Sequence, residues 1–207
     1  MNHKKIDELI EAIRTLEEEL QAEFRKKREE FRFTIEARRV RFAEELILQH
    51  RRMKVGIARY LRESRPLVLL TAPVIYAGIV PLLLLDLFVS LYQAICFPAY
   101  GIPKARRGDY LVFDREDLPY LNAFEKLHCA YCSYANGLAA WFREVAARTE
   151  QYWCPIKHAR RIRDAHALYP RFFEYGDAES FRKGLERLQK ECKEIGKKEG
   201  QESGKPE

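Results

Sequence analysis

Before Gly56 the 207-residue chain contains neither proline nor glycine, so nothing in that stretch forces a helix to stop. From Pro66 to Pro103 charge is missing instead: Asp86 is the only acid, and no base follows until Lys104. A stretch so poor in charge does not make an ordinary solvated helix. The chain also lacks a glycine-rich phosphate loop and any complete catalytic signature, so a claim of enzymatic activity would rest on its cysteines alone. The opening MNHKKIDELIEAIRTLEEEL has no uninterrupted apolar core, and no signal peptide is expected.

What remains is segregated. Residues 1–65 are dense in Arg, Lys and Glu, whereas 66–103 are almost wholly apolar. The formal charge of +6 and pI near 9.0 come from bases on both flanks of the apolar stretch. That placement points to anionic lipid headgroups and away from nucleic acid.

In the charged region Ile6, Leu9, Ile13, Leu16 and Leu20 step by three and four along one helical seam. This is the start of a heptad pattern, and residues 6–24 are a candidate surface for homo-oligomerisation as a coiled coil. The seam loosens through Phe24, Phe31, Ile35, Phe42 and Leu46, and a single helix of roughly 50 residues is expected.

A bilayer crossing takes about 20 apolar residues, and two crossings with a turn need over 40. The 66–103 segment falls between these, interrupted by Pro73, Gly78, Pro81, Pro98 and Pro103. It is either one long kinked span or a hairpin that turns near Gly78 and Pro81 and leaves by the face it entered. Bases lie upstream (Arg51, Arg52, Lys54, Arg59, Arg62, Arg65) and downstream (Lys104, Arg106, Arg107, Arg115). Two basic flanks fit the hairpin with both ends inside, and either topology puts the N-terminus inside. Asp86 within the run must be protonated, paired, or near an interface.

Downstream, RRGDYLVFDREDLPYLN (residues 106–122) reads as a short strand or extended loop, with Tyr110, Leu111 and Val112 in a strand pattern. Asn122 is a helix cap for residues 123–135, ended or kinked by Asn136 and Gly137, with a further helix to Trp153. Cys154 and Pro155 are expected to open another helix. Asp177 or Ser180 starts a last amphipathic helix with Phe181, Leu185, Leu188 and Ile195, and residues 196–207 read as a disordered tail. Four regions follow: 1–65, 66–103, 104–170 and 171–207.

Cys129 and Cys132 are three apart, and Cys154 and His158 four apart. On helices each pair points one way, and two such pairs on facing helices would supply a tetrahedral Cys3His site for zinc, with iron as an alternative. Redox exchange between Cys129 and Cys132, or nucleophilic catalysis by Cys154 beside Lys157, His158 and Arg160, are the competing chemistries. Plain packing is the third possibility. His128 points about 100° away from Cys129 on a helix. Cys96 and Cys192 read as structural, and His3, His50 and His166 as exposed.

At LYQAICFPAYGIPKARRGDYLVFDR, EKLHCAYCSYANG and AARTEQYWCPIKHARR the chain resembles a family of uncharacterised bacterial membrane proteins, over about residues 30–165. The resemblance implies bacterial origin and membrane attachment, and no mechanism. Family members carry Asn where this chain has His128, which weakens that residue as a ligand; Cys129, Cys132, Cys154 and His158 fall within the matching motifs. The expected protein is mainly α-helical. It is attached to the bacterial inner membrane with its N-terminal region and helical C-terminal module cytoplasmic, and acts as a scaffold or accessory factor for an unknown protein partner.

Overall fold

The computed structural model describes residues 3–31, 33–36, 39–42 and 44–202. It is mainly helical, with seven α-helices and one two-stranded hairpin among the described residues. It divides into two compact units, one made of residues 1–63 with 114–127, the other of 64–113 with 128–207.

In the first unit the expected 50-residue helix is broken. Helix α1 spans His3–Glu30, strands β1 (Phe33–Glu36) and β2 (Arg39–Phe42) pair antiparallel with Phe33 opposite Phe42, and α2 follows over Glu44–Arg52. The sequence FTIE…RVRF alternates apolar or β-branched residues with polar ones, a period of two that competes with the helical period and wins here. Short α3 (Ile57–Glu63) completes the unit. Asn122 reaches into it, donating from Nδ2 to the Val55 carbonyl at 3.2 Å, while His50 meets the Tyr120 ring edge-on at 5.5 Å.

The second unit is built on the apolar segment. Pro66 opens α4 (Pro66–Ala77) at its first turn, where a missing N–H costs nothing. Gly78 then stays in the right-handed helical region, at φ −58° and ψ −16°, and α5 (Ile79–Tyr100) continues directly. The hairpin expected at Gly78 and Pro81 is therefore not formed. Pro66–Tyr100 is one helix of 35 residues, because a proline removes one donor and kinks a helix without reversing it. Tightened backbone bonds carry it past the glycine, with Gly78 N–H donating to Ile75 at 3.1 Å and Leu82 N–H to Gly78 at 3.3 Å. Gly101 ends the helix with φ 68°, a conformation that favours glycine. Ile102 N–H then bonds back to Phe97 O at 2.9 Å and its side chain is buried, which together make a Schellman cap.

Residues 101–113 return along this helix, and of the expected strand or extended loop it is the loop that forms, with a 3₁₀ turn at Arg107–Asp109 and an irregular stretch at 111–113; a second 3₁₀ turn at Asp114–Asp117 belongs to the first unit. Asn122 caps α6 (Ala123–Trp153) as expected. Its Oδ1 accepts from Phe124 and Glu125 N–H at 2.9 and 3.0 Å, while Glu125 accepts the Asn122 N–H at 2.8 Å, a reciprocal capping box.

Asn136 and Gly137 do not interrupt α6, which runs 31 residues. Gly137 is there for close approach: a Cβ on it would stand 2.6 Å from Tyr110 O and 3.0 Å from Leu111 Cα. The helix expected at Cys154 and Pro155 is absent. Instead Ile156 bridges Phe173, with Lys157 N–H donating to Phe173 O at 2.7 Å and Phe173 N–H to Pro155 O at 2.8 Å.

Helix α7 (Ala178–Glu202) starts after Asp177, whose carboxylate accepts the Ser180 N–H at 2.9 Å. It packs through Leu188 and through Gly184, whose open side takes the Phe173 ring. It extends into the stretch read as a tail; residues 203–207 lie outside the described part.

The core joins α5, the return segment and α6 through Val89, Phe97, Ile102, Ala105, Leu138, Trp141 and Val145. Replacing Gly137 with Ala drives a Cβ into backbone rather than into a flexible side chain, and overpacking of that kind costs about 1–3 kcal/mol. Thermal unfolding of Gly137→Ala in detergent is expected to show a melting temperature lower by several degrees. A replacement of Gly56, where a Cβ meets nothing within 4 Å, should leave it unchanged.

Candidate membrane-binding face and the cysteine positions

Along Pro66–Tyr100 one stripe faces protein and the rest does not. Leu82, Val89, Gln93 and Phe97 are buried or half-buried, at steps of seven and four that keep them on one side of the helix. Helix α6 lies along this stripe in parallel. Tyr131 Oη donates to Ile75 O at 2.7 Å, Tyr92 Oη and Thr149 Oγ1 are 3.1 Å apart, and the Tyr100 and Tyr152 rings stack at 5.5 Å.

Asp86 and Gln93, the most polar side chains of the apolar helix, are on this covered side. Asp86 Oδ2 accepts from Arg107 Nη2 at 2.5 Å and from Tyr134 Oη at 2.8 Å, and Ser90 lies 3.4 Å from Oδ1. Gln93 makes a two-way amide pair with the return segment, accepting Ala105 N–H at 2.8 Å and donating to Ala105 O at 3.1 Å. That carbonyl also accepts the Trp141 indole N–H at 3.1 Å. Arg148, paired with Glu144 at 2.8 Å, donates to Pro103 O at 3.1 Å. Of the expected states of Asp86, the structure shows the paired one, at a helix interface.

On the opposite side stand large apolar side chains with no protein against them, including Leu70 and Val74 at 75% exposure each and Ile95 at 68%. The helix is long and apolar enough to cross a membrane, with a mean hydropathy of 2.4 over its best window. An uncovered apolar face of this extent is the mark of a membrane or protein contact.

The four candidate metal ligands are not brought together. Because α6 is continuous, Cys132 and Cys154 are separated by about two-thirds of its length, about 33 Å at about 1.5 Å per residue. No group of three His, Cys, Asp or Glu side chains suited to a metal occurs among the described residues. A Cys3His site within one chain is thus not built from Cys129, Cys132, Cys154 and His158. It required Asn136 and Gly137 to fold two helices face to face, and Gly137 serves packing instead.

Cys129 and Cys132 sit mid-helix, the first half-buried and the second exposed. His158 is exposed, with its N–H donating to Tyr169 Oη at 2.7 Å and its ring stacked on Tyr169. His128 stacks on Tyr76 at 5.4 Å. His166, expected to be exposed, is largely covered, with Nε2 at 3.0 Å from Glu150 Oε2 and Phe172 against its ring.

Cys154 follows the C-terminus of α6 and precedes no helix, so the dipole there opposes a thiolate. Burial pushes its thiol above the ordinary range, and the nearby Glu150 carboxylate adds to that. It lines an open apolar groove of ≈ 340 Å³ with Phe88, Tyr92, Phe142, Val145 and Trp153. The features sequence reasoning missed are Gln93 and Arg107. Arg107 was counted as a flanking charge, and only its position beside Asp86 reveals its role.

No family model matches the chain, nor does any curated protein or solved structure.

A raised thiol pKa means less thiolate at any pH below it. Cys154 is therefore expected to alkylate more slowly at pH 7 than a free thiol, with a rate still climbing above pH 9. Glu150→Gln should speed it at pH 7, as read by peptide mass spectrometry of iodoacetamide-treated protein.

Proposed function

We propose that this chain is a membrane-attached scaffold or accessory protein at the cytoplasmic face of a bacterial inner membrane. The observation that carries the reading is the uncovered apolar side of Pro66–Tyr100, set opposite a side where Asp86 and Gln93 are hydrogen-bonded to packed protein. The polar surface supports a binding role over catalysis. Cys154, the best nucleophile by sequence, has a thiol whose pKa is pushed up by burial and by Glu150, with no helix N-terminus to activate it.

The reading does not rest on zinc, since the four residues that suggested it are not gathered within one chain among the described residues. The partner surface is the seam of α1, where Ile13, Leu16, Leu20 and Phe24 are exposed at helical spacing. A helix this polar, with a bare apolar seam, gains most from a second helix along it. Self-association through residues 6–24 follows, leaving other partners to the exposed charged surfaces.

In cell fractions the chain should stay with membranes through a high-salt wash and be released by detergent; recovery in the soluble fraction would overturn membrane attachment. In detergent the double variant Leu16→Glu, Leu20→Glu should fall from an oligomeric to a monomeric mass by light scattering. A native chain that is already monomeric removes the scaffold's self-association.

A further inference from the structure

The arrangement around Asp86 says how the chain meets the bilayer. At 35 residues the helix is about 52 Å long, against a hydrocarbon slab of about 30 Å. Fitting all of it inside the slab would take a tilt of about 55°, beyond the range of about 0–40° seen for spanning helices.

Crossing with only part of it fails for a different reason. If residues 66–85 filled the slab, exposed Leu87, Phe88, Leu91 and Ile95 would be left in water. If residues 81–100 filled it, the slab would also hold the return segment packed beside them. That segment carries Arg107, whose side chain is 49% exposed, next to exposed Lys104 and Arg106. Exposed charges do not sit at the lipid-facing depth of a bilayer.

Lying flat removes the conflict. Leu70, Val74, Leu84, Leu87, Leu91 and Ile95 are each 52–75% exposed and fall on the side away from Asp86, Val89, Gln93 and Phe97. The return segment is bonded to that other side through Arg107 and Ala105. The ridge is continuous from one end of the helix to the other and bears no charge. Exposed bases close both ends: Arg65 just before Pro66, and Lys104 and Arg106 just after Tyr100.

We propose that Pro66–Tyr100 lies in the plane of an anionic lipid surface, its outer ridge sunk among the acyl chains and its flanking bases on headgroup phosphates, and does not cross the bilayer. The proposal rests on the membrane-attachment reading and deepens it. It also accounts for two basic flanks on one side without a hairpin, and it resembles the geometry of amphipathic anchors. The unusual feature is that the polar face of the anchor is supplied by packed neighbours instead of by the helix itself.

The test adds the full chain to preformed sealed vesicles of phosphatidylcholine alone or with 30% phosphatidylglycerol, a probe mixture of about that composition. Flotation should be about tenfold stronger on the anionic vesicles at low salt. Glu63→Cys and Asp109→Cys variants should both react fully with an impermeant maleimide before detergent, as read by peptide mass. Leu70→Trp, Leu84→Trp and Ile95→Trp, all on the outer ridge and so harmless to packing, should be quenched best by lipid brominated at one and the same shallow position.

A flank that reacts only after detergent, or deep quenching at position 84 with shallow quenching at 70 and 95, means the helix crosses and overturns the proposal while keeping attachment. Equal flotation on neutral vesicles overturns the anionic preference. No flotation on either refutes the attachment reading itself.

Discussion

Asp86 is the single charge in a long apolar helix, and its carboxylate is held by Arg107 and Tyr134 from two different parts of the chain. An unpaired carboxylate in such a setting costs several kcal/mol, so the pairing decides where both neighbours must run. Arg107 draws the return segment back along α5 beside Asp86. Once it is there, Ala105 meets Gln93 and Trp141, and Tyr110 comes so near α6 that only a glycine fits at position 137.

The same constraint sorts the surfaces. With the return segment and α6 committed to one side of Pro66–Tyr100, the other side keeps its leucines and phenylalanine uncovered, and that side is what a membrane can take up. A straight α6, packed in parallel along the apolar helix, also holds Cys129 and Cys132 far from Cys154 within one chain. Cys154 instead finishes beside Glu150 in an apolar groove, where a thiol is more at ease than a thiolate.

Local signals in the sequence were legible. Asn122 and Asp177 act within one turn of their own positions, and a helix begins at each. The apolar segment and its flanking charge were equally plain. Features that depend on distant contacts were not. Gly137 reads as a break until Tyr110 and Leu111 are seen against it, and spacing between cysteines says nothing of distance until the helix between them is known to be straight. The paired strands Phe33–Glu36 and Arg39–Phe42 were present as a period-two alternation, yet the absence of proline and glycine made a continuous helix the simpler reading. Basic flanks could not tell a hairpin from a flat helix, because both leave their ends on one side.

The most direct measurement is a double-mutant cycle on Asp86→Asn and Arg107→Gln, scored by denaturant unfolding of the full chain in detergent. With Arg107 half-exposed, screening limits the pair, and a coupling of about 1 kcal/mol is expected, each single change costing more than its share of the double. Strictly additive effects would mean that Asp86 does not anchor the return segment, and the account of both the packed side and the lipid side of this helix would fall with it.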